Sequence, residues 1–254
     1  MRASPKKREP FSIYRLFSLF LLQLVAILSG NVRLGFSDED VRLETLLKPI
    51  SSKDFVYRYY DSFCGRREAF EKFEEFVHSS KNFFWVKARP GCGKTAFSSM
   101  LIWRYSEYVS AAHFCKFNNS DRANPKYILT SIAYQLANAL PDYKKKLLEL
   151  RGLDTIFEKN AMRIFEYLLI EPMSDIRPTH PVVIIIDALD ECSWRGDNEI
   201  CSLLQRMRAR IPAWMKFVLT SRDEANIRRY LSSMAVTYTL SDTETDEDLR
   251  EYYK

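Results

Sequence analysis

Glycine is scarce here, with seven among 254 residues, and no low-complexity tract interrupts the chain. Order throughout most of the length is therefore expected, and 46% apolar residues suffice for a real core. No repeat of solenoid length recurs, which excludes an array within these residues. Cysteine is sparse and unpaired in spacing: Cys64, Cys92, Cys115, Cys192 and Cys201 form an odd set without a CxxC. The histidines His78, His113 and His180 stand apart. Neither a zinc site nor a disulfide framework fits that pattern, whereas free thiols of a reducing compartment do. A block of one charge sign is missing as well. The net charge of +5 is spread along the chain, which argues against a nucleic-acid partner.

A full membrane-length apolar run is also lacking. The longest is LFSLFLLQLVAIL (16–28), 13 residues against the roughly 20 that a span requires. Arg2, Lys6, Lys7 and Arg8 precede it, as in a secretory signal, yet Ser29 and Gly30 have Ile27 and Leu28 near the −3 position, a poor cleavage context. The basic flank keeps a short N-terminus cytosolic and directs the remainder to the lumen, where free thiols and a nucleotide enzyme are less expected. The segment reads equally as a signal peptide, as a signal-anchor giving membrane association through residues 11–30, or as a buried or partner-binding helix.

Downstream of residue 60 helix and strand alternate. EAFEKFEEFVHSS (68–80) sets Phe70, Phe73, Phe76 and Val77 on one helical face. NFFWVKA (82–88) reads as a strand, 94–109 as a helix, AAHFCKF (111–117) as a second strand and 126–140 as a periodic helix. PDYKKKLLEL begins another helix with proline in its first turn, and 161–170 a further one. PVVIIID (181–187) is apolar on both faces, as a central parallel strand should be. Residues 201–210 and 224–231 read as helices, MKFVLTSR (215–222) and AVTYTL (235–240) as strands, and the acidic tail TETDEDLREYYK opens a last helix. Strands separated by helices imply a parallel sheet covered on both faces, a three-layer α/β fold.

KARPGCGKTAF (87–97) carries the first chemistry. A phosphate cradle needs inward backbone N–H groups, a lysine for the β/γ-phosphates and a hydroxyl for magnesium. Gly91 and Gly93 supply permissive dihedrals, Lys94 the charge and Thr95 the hydroxyl, with Cys92 between the glycines and Ala96 in the helix that follows. Ala88 stands where the usual pattern begins with glycine, a place that requires only a small residue. Some 90 residues later VVIIIDALDEC puts Asp187 at the tip of a buried strand, where open parallel sheets bind ligands. Asp187 and Thr95 are the candidate metal residues; Asp190 and Glu191 follow within a turn as candidates to orient or deprotonate water. Arg222 ends the strand VLTSR and is placed to stabilise a γ-phosphate. Gly65 and Arg66, in FCGRRE, are placed to touch the adenine or the phosphates from outside the sheet. The bland alternatives are a chance GKT, acids that merely solvate a strand end, and ordinary surface arginines.

The ordered set FCGRRE, ARPGCGKTAF, HFCKFNNSDRANP with ILTSIAYQLA, VVIIIDALDEC and FVLTSR resembles the NACHT-type nucleoside triphosphatases of the STAND branch, closest to nephrocystin-3-like N-terminal domains, over about residues 60–254. The resemblance implies a P-loop NTPase with a five-stranded parallel sheet ordered 5-1-4-3-2, mapped here to 235–240, 83–88, 215–220, 182–187 and 111–117; the hydrophobic N-terminal helix expected to precede it is not a feature of that family. It also implies a Walker A loop at Ala88–Thr95, a magnesium aspartate at Asp187, Asp190 as first choice for water activation and a sensor arginine at Arg222, with ATP/ADP and Mg2+ as ligands. The expected organisation is a targeting-like segment over 1–30, a linker over 31–60 and the NTPase domain over 61–254. The family's winged-helix and repeat regions are not represented before Lys254, so the chain is expected to be a fragment, a truncated paralogue or a subunit needing a partner.

Three functions follow from these residues. The first is a slowly hydrolysing ATP switch of intracellular setting, coupling nucleotide state to assembly or signalling through a protein partner or self-association. The second is a nucleotide-bound scaffold without turnover. The third is a small-molecule P-loop kinase, for which RGLDTIFEKNAMR offers thin lid material.

Overall fold

The computed structural model describes residues 37–59, 63, 65–193 and 196–240; the apolar N-terminal segment, the expected helix within it and the acidic tail lie outside these. The backbone divides into two units, Met1–Arg42 and Leu43–Lys254. Of the first unit the description covers only the end, where Ser37 and Asp40 exchange reciprocal N–H bonds (2.9 and 3.3 Å) at the start of helix α1, Asp38–Leu47. No helix among the described residues is long and apolar enough to cross a membrane.

The second unit is built on five parallel strands: β1 (Phe83–Lys87), β2 (Val109–Phe114), β3 (Val182–Asp187), β4 (Met215–Ser221) and β5 (Val236–Thr239). Their order is β2-β3-β4-β1-β5, which from the β5 edge reads 5-1-4-3-2. Lys87 pairs with Ser221, Ile186 with Leu219 and Phe114 with Asp187, so the C-terminal ends of β1, β2, β3 and β4 are held near one level at one sheet edge.

Strand side chains alternate between two cores. One face presents Phe84, Val86, Phe114, Ile185 and Val218 to Phe70, Phe73 and Phe76 of α3 (Arg67–Val77) and to Phe97 and Leu101 of α4 (Lys94–Arg104). The opposite face presents Trp85, Ile184, Ile186, Phe217 and Leu219 to helices that follow β2 and β3. After the short α5 (Ser120–Ala123) these are α6 (Pro125–Ala139), α7 (Pro141–Glu149), α8 (Ala161–Phe165) and α9 (Glu199–Met207). Helix α10 (Ala225–Leu231) joins the same face through Ile227 and Leu231. Burial on both sides is why β3 is a continuous apolar run.

Several boundaries differ from expectation, each for a local reason. The helix predicted over 94–109 ends at Arg104, and Val109 already belongs to β2, because the chain turns at Tyr105 to enter the sheet. The helix predicted over 161–170 is regular only to Phe165, then widens so that Glu171 N–H donates to Glu166 O across five residues. The helix predicted over 201–210 starts earlier, at Glu199, capped by the Asn198 side chain accepting from Cys201 N–H at 2.9 Å. The stretch 31–60, expected as a linker, carries α1 and α2 (Lys53–Arg58), with Leu43 and Leu47 fully buried. The outer edge of β2 is closed by side chains: Gln135 accepts from Ala112 N–H and donates to Ala112 O, both at 2.9 Å, and Ser52 Oγ adds a bond to the same carbonyl.

Candidate functional site

The site begins where β1 leaves the sheet. Ala88 is buried and continues the ladder, its N–H donating to Ser221 O at 3.1 Å. Gly91 (φ 84°) and Gly93 (φ 80°) are left-handed, and an added Cβ would meet nothing within 4 Å at either. The requirement for glycine is therefore one of backbone conformation, not of space. Gly93 stands at the N-terminus of α4 without a side-chain cap. The N–H groups of Lys94, Thr95 and Ala96 consequently find no backbone acceptor among the described residues, which leaves them and the helix dipole directed at the loop. Lys94 folds over this loop, its Nζ donating to Ala88 O and Arg89 O at 3.2 Å each. Arg66, itself left-handed at the start of α3, donates from Nη2 to Cys92 O at 3.1 Å. Thus the Arg66 side chain reaches the loop, at a backbone carbonyl. Cys92 is partly exposed, and its thiol lies 3.8 Å from Pro90 O.

Asp187 meets the loop from the end of β3. Its side chain is enclosed by three hydroxyl donors at 2.7 Å: Thr95 Oγ1 to Oδ2, and Ser98 Oγ and Thr220 Oγ1 to Oδ1. Burial pushes the Asp187 carboxyl upward from the usual range, while the three hydroxyls and the Lys94 charge act in the opposite direction. Thr220 does a second task, accepting from Ala188 N–H at 2.9 Å and so pinning a non-glycine residue at φ 57°. Sequence reasoning missed Ser98 and Thr220. Signals for both existed: Ser98 lies one helical turn beyond Thr95 on the same face, and Thr220 follows Leu219, the register partner of Ile186.

Of the three remaining candidates, two are paired with each other and the third holds a neighbouring loop. Asp190 is bound to Arg222 by the Arg222 backbone N–H and by Nε, each at 3.0 Å. Glu191 accepts from Phe117 N–H at 3.0 Å, joining the turn after β3 to the loop after β2. The structure therefore brings Thr95 and Asp187 into direct contact, and places Asp190, Glu191 and Arg222 at the same strand-end edge.

A model of the family described as Nephrocystin 3, N-terminal matches residues 66–222. The chain belongs to that family. The matched span begins at Arg66 and ends at Arg222, and so contains every residue of the site described above. Among solved structures, the chain is similar to a chain of "Structure of Drosophila ORC bound to DNA", with a TM-score of 0.42 and 16% identity, over 98% of this chain and 54% of that one. The chain thus spans about half the length of that neighbour, and neither function nor partner follows from so distant a likeness.

No group of three or more His, Cys, Asp or Glu suited to a metal occurs among the described residues. A free divalent ion has no protein cage here, but a hydroxyl and one carboxylate in contact fit an ion that takes its other ligands from phosphate and water. Thr95 and Asp187 would hold it, and the ion would neutralise charge on the phosphates.

Proposed function

We propose that this domain binds a magnesium–nucleoside triphosphate between the Ala88–Thr95 loop and Asp187, as a slowly hydrolysing switch of the NACHT/STAND type. The observation that carries the reading is the Thr95 hydroxyl on the Asp187 carboxylate at 2.7 Å, in the first turn of α4, whose opening amides have no backbone acceptor among the described residues. Lys94 is tethered to the loop by two carbonyls that a phosphate group would replace. ATP is the expected nucleotide on the family resemblance. In the reaction, a water oxygen bonds to the γ-phosphorus, the bond to the β,γ-bridging oxygen breaks, and ADP and phosphate leave. The water's proton passes to an acidic side chain of the 190–191 turn. Coupling of nucleotide state to assembly or signalling through a protein partner belongs to the same proposal.

A second reading, a nucleotide-holding scaffold without turnover, draws support from the mutual engagement of Asp190 and Arg222, which must be accommodated before either acts on a phosphate. Labelled ATP binding and phosphate release by the wild type, Lys94→Ala and Glu191→Gln separate the readings. Binding with slow release supports the switch, and binding without release supports the scaffold. Label appearing on a small acceptor selects a kinase, while no binding at all rejects every nucleotide-based reading.

A further inference from the structure

The two acids after β3 are engaged in different ways, and the difference assigns them different work. Asp190 has both oxygens committed to one residue: Oδ1 accepts from Arg222 N–H and Oδ2 pairs with Arg222 Nε, each at 3.0 Å. Its side chain is only 4% exposed, against 49% for Arg222. A carboxylate held this way must break a half-buried charge-assisted pair before it can take a proton. Glu191 uses one oxygen to accept from Phe117 N–H, is partly exposed, and has no partner on its second oxygen among the described residues.

Arg222 is equally informative. Asp190 grips Nε alone, and the two terminal guanidinium nitrogens have no partner among the described residues. Those nitrogens form the face of the planar fork that matches phosphate oxygens. Arg222 leaves β4, the strand that lies between β3, ending in Asp187, and β1, leading into the loop. The fork is thus carried by the strand between the candidate metal residue and the phosphate cradle.

Resting on the nucleotide reading above, we propose that Asp190 is a positioning residue, which fixes the Arg222 fork for the terminal phosphate of a nucleoside triphosphate, and that Glu191 accepts the proton of the attacking water. Asp190 then acts through Arg222. Its loss should erase recognition of the third phosphate to the same extent as loss of the arginine.

The test measures ATP and ADP affinity in the presence of Mg2+, single-turnover phosphate release and nucleotide-free melting for five proteins beside the wild type. These are Asp190→Ala, Asp190→Asn, Arg222→Ala, Asp190→Ala/Arg222→Ala and Glu191→Gln. Arg222→Ala and Asp190→Ala should each reduce the preference for ATP over ADP by about tenfold, and the double variant should lose no more than Arg222→Ala alone. Asp190→Asn, which keeps an acceptor for the Arg222 N–H, should recover part of that preference. It also stands in if the alanine variant melts too low to assay. Glu191→Gln should bind ATP normally while release slows by at least about a hundredfold. Additive losses in the double variant, or Asp190 variants that abolish release with the ATP preference unchanged, would overturn the assignment and leave the nucleotide reading standing. A wild type that binds ATP without turnover would overturn the role given to Glu191, and the affinity ratios would then decide that of Asp190. Failure of the wild type to bind either nucleotide would instead overturn the functional reading, and this assignment with it.

Discussion

Asp187 was legible because an unbroken apolar run ends on it, and an acid is an expensive way to end a buried strand unless it is used. Of the hydroxyls that make its burial tolerable, Thr95 was named by its motif, while Ser98 and Thr220 were passed over because a serine in a helix and a threonine in a strand are ordinary residues whose faint spacing and register signals gain meaning only beside Asp187. Thr220 matters most among them, because it donates to Asp187 and accepts from Ala188 N–H within the same buried turn. Thr220→Val keeps the shape and removes both bonds. Urea unfolding should show a loss of about 1–3 kcal/mol, the usual cost of leaving a buried polar group unsatisfied. Ser98→Ala removes a single donor to the same oxygen and should cost less, about 1 kcal/mol. A similar division holds for Lys94 and Arg66: a GKT lysine is recognised by its motif, but a Gly-Arg turn reveals its contact with the loop only once the chain is folded.

Among the elements, the strands and the long helices were readable, since two-sided burial and helical periodicity leave strong patterns. Helices α1 and α2 were not, being short and polar, with only Leu43 and Leu47 marking the buried side of α1. Ends were read too generously where tertiary contacts stop an element that local propensity would extend, as at Tyr105. Gly93 tests how the loop is joined to α4. With open space around its missing Cβ, Gly93→Ala should cost only the left-handed penalty, about 1–2 kcal/mol in unfolding, and weaken phosphate binding besides. At the far edge of the sheet, Gln135→Leu strips the side-chain amide from Ala112 and leaves its N–H without an acceptor. Denaturant melts should register about 1–3 kcal/mol for that change.

For the molecule as a whole, acid stability depends on a histidine outside the site. His113 is fully buried, its Nε2 lies 3.0 Å from Arg122 O, and its Nδ1 has no partner among the described residues. The carbonyl requires a proton on Nε2, so the neutral ring donates there. Burial lowers its pKa from 6.5 to about 4, with the Arg122 backbone bond acting the other way. As pH falls from about 6.5 toward 4, the unfolded chain takes up a proton that the folded chain refuses. Stability should therefore decline across that window, by up to about 3 kcal/mol. His113→Gln, which keeps a donor for Arg122 O, should flatten the decline, and melting curves at pH 4.5 and 7 check this. The central claim is that the glycine loop and Asp187 form one magnesium–nucleotide site. Calorimetric titration of ATP into the wild type, with and without Mg2+, and into Lys94→Ala tests it most directly. The account predicts saturable binding that weakens without magnesium and falls at least about tenfold in Lys94→Ala; absence of binding, or equal binding by both proteins irrespective of magnesium, would contradict it.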